Sequence, residues 1–487
     1  MSTRRLLTTL VATLAIAAPV AGCGGDDDSA SGSLDASLAF VPKNAPVVVT
    51  FDTDTSGDQY KRLQALLGKF PFAGQIQAQL TGLYSRTGGD YTRDIKPLLG
   101  NPIVIALPDA RSITDDNSDD TYVVAFQAKS ADALKRAVDR SSQQQKAGQL
   151  EGGDLYQASD GAVTWVKGDK LVSANSRPQL AAAIGRSKGS DHMAEGDFGA
   201  AFAGLPADPV ARVYGDVQAL LASDPDSTTA RQVKWVAGLR KFAVTASAEG
   251  DGLAFDSNIA TQGVSDADLP LAAGGASPAV ARYADYSIGL RNLTQTIRFV
   301  ETTAMKTDPA GSARFQKQKA AFAGKQGIDV DRDLFGQLTG DTTIAGRLDG
   351  TVSLRASVKD PAKLRATLDK LADAGRVGDT TYSRSGDLVR SEGDGTPAYF
   401  GMVGDVFVEG PTPEAAKEIA PISARPLPGT KGALTLVADG EAIAKRAIQQ
   451  SGQNQSAGLF AGPLGDVTGY ASASPGGIRI HAKLKIE

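Results

Sequence analysis

A single cysteine, two histidines and two tryptophans are scattered through 487 residues. One thiol cannot close an intrachain disulfide, and it excludes zinc sites of the multi-cysteine kind. His192 and His481 leave almost nothing for imidazole-based metal binding or for a histidine-centred triad. A basic surplus is missing too: 51 Lys+Arg face 55 Asp+Glu, a formal charge of −4. That balance argues against a dedicated nucleic-acid binder. The rest is ordinary for folded protein, with 41% apolar and 22% charged residues, so wholesale disorder and a polytopic membrane protein are both excluded. At roughly 150 residues per domain, the length suggests two to four domains.

The N-terminus carries an address. Arg4 and Arg5 precede an apolar run from Leu6 to Val20, interrupted by Thr and by the helix-breaking residue at position 19. The run has the shape of a secretory h-region and is short for a membrane span. It ends in Val20-Ala21-Gly22-Cys23, which is similar to the lipobox of bacterial lipoproteins. In that class the cysteine thiol receives a diacylglyceryl group and the chain is cut just before it. The one cysteine of the chain stands where the lipobox needs it, so Cys23 is the expected lipidation site and residues 1–22 the signal peptide. Two acyl chains, at about 0.8 kcal/mol per buried methylene, anchor durably where one is marginal. Cleavage removes two arginines and makes the mature chain two charges more negative. Residues 23–37 follow, with GGDDDSASGSLDAS after the cysteine. They read as a flexible lipidated tether with a typical span of about 20 Å.

From Leu38 the sequence reads as a tandem duplication. Asp90-Tyr-Thr-Arg93-Asp94-Ile95 matches Asp329-Val-Asp-Arg332-Asp333-Leu334. Thr121 to Lys129 matches Thr351 to Lys359, and Gly168-Asp169 matches Gly404-Asp405, with Pro178 and Pro413 opening the next helices. Phe242–Ala248 matches Val467–Ala473 before a glycine turn and a last strand. The expected organisation is repeat 1 over 38–262, a Gly/Ala/Ser/Pro-rich linker over 263–277, and repeat 2 over 278–487. A finer echo runs through the prolines at 42, 206, 278 and 428, each leading into a strand and a polar break.

Alternation in Ile478, Ile480, Ala482, Leu484 and Ile486 predicts a strand with one wet face, and Phe242, Val244, Ala246 and Ala248 repeat the pattern. Asp360 as N-cap with Pro361 behind it, and Leu364, Leu368 and Leu371 on one side, predict an amphipathic helix. Ser130 opens a second one ahead of Leu134, Ala137 and Val138. The expected fold class is α+β: a tandemly duplicated antiparallel sheet with helices packed on one face.

The lipobox, Phe40-Val-Pro42 entering a valine-rich strand, the Gly89-Asp90 to Gly100 segment and the recurring strand–helix units together resemble bacterial lipoproteins catalogued as domain of unknown function 3352. The resemblance spans nearly all of the mature chain. It departs in repeat 2, where Gly336 stands at the place of Pro97. It implies a cell-envelope lipoprotein of unassigned role and supplies no catalytic residues.

Several constellations bear on chemistry. Gly185-Arg-Ser187-Lys-Gly189 has the spacing of a serine-hydrolase elbow, but it follows a helix where the elbow must follow a strand. Asp52-Thr-Asp54-Thr-Ser56-Gly57 has alternating oxygen ligands and the glycine of a calcium loop, with Leu63 where a bidentate glutamate belongs. Asp115 to Asp119 alternates carboxylates too, with Asp120 and Phe126 at the two deciding positions. Asp90/Asp94 and Asp329/Asp333 sit one helical turn apart, and read as caps and loop formers. His481 lies among Arg479, Lys483 and Lys485, as an anion contact or a solvated strand face, and His192 sits in a polar loop. Trp165 and Trp235 are expected in cores.

No catalytic residue, cofactor or metal is therefore expected. The leading reading is a noncatalytic binding or scaffold protein, anchored to the outside of the bacterial cell membrane through lipidated Cys23. Its partners are then the membrane, and an envelope protein or a hydrophobic ligand, with no nucleic acid. The alternatives are a carrier that shields a hydrophobic ligand between sheet and helices, and a carboxylate-dependent hydrolase.

Overall fold

The computed structural model describes residues 30–71, 73–74, 91–114, 121–141, 144–225, 227–282, 284–377, 379–393, 395, 397–421, 426–450 and 461–487. The chain forms two compact units. The first holds Met1–Pro225, Arg240–Ile259 and Ile486–Glu487; the second holds Asp226–Leu239 and Ala260–Lys485. Helices and antiparallel strands share both, which is the expected α+β class.

The first unit is built from β1 (Val47–Phe51), β2 (Ile103–Leu107), β3 (Val123–Gln127), β4 (Gln144–Leu150), β5 (Gly153–Ala158), β6 (Val163–Lys167), β7 (Lys170–Ala174), β8 (Ala211–Asp216), β9 (Leu239–Ala248) and β10 (Gly252–Thr261). Across the sheet the order is β4-β5-β6-β7-β3-β2-β1-β8-β9, antiparallel throughout. Its main helices are α1 (Ala30–Leu38), α2 (Asp58–Gly68), α3 (Ala131–Arg140), α4 (Arg177–Arg186) and α5 (Glu195–Ala200).

The sequences of β2 (IVIAL) and β3 (VVAFQ) are apolar at odd and even positions alike, so both faces seek cover. On one face Val48, Val104 and Ala106 pack against Leu34 and Leu38 of α1 and Phe198 of α5. Leu180, Ala183 and Ile184 of α4 cover Val123 and Ala125 on that same side. On the other face Ile103, Ile105, Val124 and Phe126 meet Leu134 and Val138 of α3. The expectation of helices on one face and water on the other is corrected here. Alternation in 242–248, 352–358 and 478–486 suggests one wet face, whereas β2 and β3 are apolar at every position but the last of β3 and buried on both faces. Ser130 caps α3 as expected, its hydroxyl accepting from the Ala133 N–H at 3.2 Å.

The second unit comprises β11 (Tyr286–Arg291), β12 (Asp341–Gly346), β13 (Val352–Ser357), β14 (Arg376–Val377), β15 (Thr380–Ser385), β16 (Leu388–Glu392), β17 (Ala398–Val403), β18 (Val406–Gly410), β19 (Leu434–Asp439), β20 (Leu464–Ser474) and β21 (Gly477–Ile486). They pair in the order β14-β15-β16-β17-β18-β13-β12-β11-β19-β20, again antiparallel. Apart from the two-residue β14, this is the pairing scheme of the first unit. The main helices are α6 (Leu293–Thr307), α7 (Pro309–Gln326), α8 (Pro361–Asp373), α9 (Pro413–Glu418) and α10 (Gly440–Gln450). Asp360 caps α8 by accepting from the Lys363 N–H at 3.0 Å. Leu364 and Leu368 of α8 pack on Ala356, Val389 and Met402. Ala416 of α9 and Ile419 cover Ala345 and Val408 on the opposite face. Tight turns join β6 to β7 and β17 to β18, where Gly168 and Gly404 both take φ 61°, a conformation side chains with a Cβ avoid.

Three local expectations change. Residues 23–37 were expected as a tether, but from Ala30 the chain is helical and Leu34 and Leu38 enter the core. The apolar pair at i and i+4 supplies a helix face that the polar residues around it concealed. In β9 the fully buried face is Ala243, Thr245 and Ser247, while Phe242, Val244 and Ala246 are half-buried. In β21, Ile480 is 40% exposed and His481 half-buried, so that strand has no simple wet face. Trp165 is in the core as expected, and Trp235 is half-buried against Phe299.

Because Leu38 is fully buried, Leu38→Ala should remove about 2–5 kcal/mol of stability. Urea unfolding should show a lower midpoint, while Asp35→Ala on the exposed side of the same helix should stay within about 0.5 kcal/mol of the parent. Equal, negligible effects would mean that α1 does not belong to the core.

Candidate functional site

Two buried carboxylates at matching places in the two units each hold a network of cations. In the first, the turn Tyr91–Ile95 before β2 buries Asp94 to 1% exposure. The neighbouring Arg93 grips it through Nε and Nη2, both at 2.8 Å, and Arg140 at the end of α3 donates from Nη1 at 2.8 Å. In the second unit Asp333 lies in the turn Val330–Leu334. Arg332 donates from Nε and Nη2 at 2.8 Å, Lys363 approaches at 3.2 Å, and the Asp329 N–H donates at 3.0 Å. Asp329 caps that turn, accepting from the Arg332 N–H at 3.0 Å. The fork geometry of guanidinium on carboxylate is among the strongest charge-assisted pairings. Chiefly through Arg332, the Asp333 carboxyl is held well below the usual carboxylate range. A carboxylate so engaged is ionised and accepts only, so it makes a poor proton donor. These nodes fasten the turn before β2 or β12 to α3 or α8. Asp90 lies outside the described residues.

The other candidates are dispersed. Ser187 ends α4, and its hydroxyl donates to the Ile184 carbonyl at 2.8 Å, a helix-terminal bond rather than a nucleophile's setting. His192 is half-buried where the backbone bridges to Pro42, and the next N–H, of Met193, donates to Val41 at 3.0 Å. His481 stacks on Tyr470 with ring centroids 5.0 Å apart. The carboxylates of Asp52 and Asp54 turn back on their own loop, accepting from the N–H groups of Asp54 and Ser56 at 2.9 Å each. Burial pushes the Asp52 carboxyl up. Leu63, at the calcium-loop glutamate position, packs with Leu66 and Phe70. Among the described residues no group of three or more His, Cys, Asp or Glu is placed to hold a metal. Asp115–Asp119 and Cys23 lie outside the described residues.

One concavity in the second unit has a volume of about 230 Å³ and is lined by Ala345, Arg347, Ser353, Thr412, Glu414 and Glu418 among others. Arg347 donates to Glu418 across it at 2.8 Å. Ligand pockets are commonly roughly 300–1,000 Å³ and mostly apolar, so this small, ion-paired notch suits water better than a hydrophobic guest.

Sequence reasoning found Asp94 and Asp333 but read them as caps, and missed their cations. The Arg-Asp dipeptide in both halves was a signal. Arg140 stands 46 residues from Asp94, where no local pattern links the two. Each node sets a stability experiment. Asp333→Asn should cost about 1–3 kcal/mol at neutral pH, the worth of hydrogen bonds to a charged group. Because the folded state ionises at lower pH than the unfolded chain, the contribution is complete above an unfolded value of about 3.9 and fades as the pH drops through the folded one. The gap in urea stability between parent and Asp333→Asn should therefore close in acid. Asp94→Asn should lower neutral-pH stability by a comparable amount, and a silent substitution at either place would show that node to be ornamental.

Against known proteins, three crystal forms of TP0453 are similar at a low level. Forms III and IV give TM-scores of 0.28 at 9% identity, covering 47% and 46% of this chain and 80% and 79% of that one. Form I gives 0.28 at 10% identity, over 47% of this chain and 79% of that one. No curated protein matches the chain. The sequence pattern of one family matches residues 6–382, more than three-quarters of the length, and by that match the chain belongs to the family described as protein of unknown function (DUF3352).

Proposed function

We propose that the protein is an exported bacterial lipoprotein, held at the outer side of the cell membrane by a diacylglyceryl group on Cys23, and that its folded units act as a noncatalytic binding or scaffold surface of the envelope. The observation that carries this reading is the position of the chain's one cysteine, directly behind Val20-Ala21-Gly22 and an h-region with a basic start. Among the described residues no helix is long and apolar enough to cross a membrane.

We further infer that the units descend from a tandem duplication. Their shared strand order supports it, as do the paired nodes at Asp94 and Asp333. So does a smaller correspondence: the Lys129 N–H donates to the Leu98 carbonyl at 3.2 Å, and the Lys359 N–H to that of Gln337 at 2.8 Å. What corresponds between the units is framework. Ser187, His192 and His481 have no counterpart in the other unit, which favours a role in binding over one in catalysis.

The test is Cys23→Ser in a bacterial host that lipidates exported proteins. Palmitate labelling should vanish and the protein should leave the membrane fraction. Label and fractionation both unchanged would remove the lipoprotein assignment.

A further inference from the structure

Residues 293–326, inserted between β11 and β12, form the helical hairpin of α6 and α7. The segment holds six Lys/Arg against two Asp/Glu, in a chain whose net charge is −4. Lys319 is 9% exposed and paired with Glu301, at 3.1 Å, and with Asp331. The other five cations, Arg298, Lys306, Arg314, Lys317 and Lys325, are all exposed, and none forms an ion pair among the described residues. Arg314, Lys317 and Lys325 recur at helical spacing on one face of α7 with no acidic residue between them. Large apolar side chains stand out on the same hairpin: Val300 is 57% exposed, Met305 48% and Phe315 38%. The insertion between β1 and β2 begins with α2, where Leu67 is 45% exposed. Of the eight large apolar residues exposed in the described chain, half lie in these two insertions.

We propose that the α6–α7 hairpin docks on the surface of an anionic lipid bilayer. The charge is complementary, since this element carries six cations against two acids in an acidic protein, and five of the six form no ion pair among the described residues. A soluble polyanion would use the cations and leave Val300, Met305 and Phe315 in water. A lipid interface takes both, with cations at the headgroups and apolar groups at the acyl boundary. The inference goes beyond Cys23. The anchor sets the distance from the membrane, and the hairpin gives the second unit a contact of its own with the bilayer.

The experiment uses the chain from residue 23 with Cys23→Ser, which keeps every described residue and carries no acyl group, so its outcome is independent of lipidation. Sedimentation with phosphatidylcholine vesicles should show little binding. Equimolar phosphatidylcholine–phosphatidylglycerol vesicles should bind it, less so as salt is raised. Each cation at an anionic surface is worth about a five-fold change in partition, so Arg314→Gln, Lys317→Gln and Lys325→Gln together should weaken binding roughly hundred-fold. Lys43→Gln, Arg136→Gln and Lys431→Gln together, the same charge loss on other exposed sites, should leave it within a few-fold. Val300→Ser with Met305→Ser should remove the binding that survives high salt. Urea unfolding of each variant separates loss of docking from loss of fold. No binding to anionic vesicles, equal binding to neutral ones, equal effects of the two cation triples, or binding to a soluble polyanion with none to vesicles would each overturn the proposal.

Discussion

An interior strand that is apolar at odd and even positions has no face to give to water, and that constraint organises the first unit. Val104 and Ala106 of β2 point one way and Ile103 and Ile105 the other, and all four are buried. Covering both faces requires helices on both sides. The chain supplies them from distant parts of the sequence: α1, α4 and α5 on one side, α3 on the other. The turn leading into β2 must then lie beside α3, and this proximity brings Asp94 within reach of Arg140. A carboxylate buried to this degree is tolerated only when paired and hydrogen-bonded. Arg93 and Arg140 occupy its oxygens, so the ion pair follows from the double burial rather than causing it.

The second unit repeats the scheme with a different covering layer. Where β2 has hydrocarbon, β12 has Thr342 and Thr343, both buried. A thread of extended backbone explains part of this. The Thr343 hydroxyl donates to the Ala279 carbonyl at 3.0 Å. The Ser287 hydroxyl donates to the Ile344 carbonyl at 2.8 Å and accepts from the Ala281 N–H at 2.9 Å. A backbone segment laid over a sheet brings unsatisfied polar groups that a helix does not, and buried hydroxyls answer them. Its approach is close: a Cβ at position 289 would stand 2.6 Å from the Ala279 oxygen, so glycine is required at Gly289. The same strand order is thus kept with helix over hydrocarbon in one unit and thread over hydroxyl in the other.

Those details divide what was legible in the sequence from what was not. Features that act through neighbouring residues were readable: the caps Ser130 and Asp360, the turn glycines Gly168 and Gly404, the amphipathic face of α8. The α+β class followed from them, and the family resemblance from the lipobox, Phe40-Val-Pro42, the Gly89-Asp90 to Gly100 segment and the recurring strand–helix units. Features that depend on distant partners were not. The face of β9 that is fully buried belongs to Ala243, Thr245 and Ser247, because packing overrides polarity when small side chains fit. Helix α1 hid in a polar stretch with two leucines, and only the core contacts of Leu34 and Leu38 distinguish it from a linker. At the candidate sites the sequence placed a helix before Ser187, where a nucleophile elbow needs a strand, and α4 ends there. It had no means of pairing Asp94 with Arg140.

Segments that leave the sheet are free of the double-burial constraint. The insertion between the first two strands leaves the sheet, so its outer surface changes without disturbing the strands beneath it. Of the residues in α7, Lys319 is the buried one, and its ion pairs with Glu301 and Asp331 tie α7 to α6 and to the turn that carries Asp333. That arrangement fixes the base of the hairpin and leaves the rest free to carry charge and apolar groups that would be costly in the core. Binding surfaces on loops and insertions above a rigid scaffold follow this logic generally. Here it also separates two roles of basic residues. Arg93, Arg140, Arg332 and Lys363 are spent on buried carboxylates and hold the framework, whereas Arg314, Lys317 and Lys325 are exposed and form no ion pair among the described residues, which leaves them available to an anion from outside the chain.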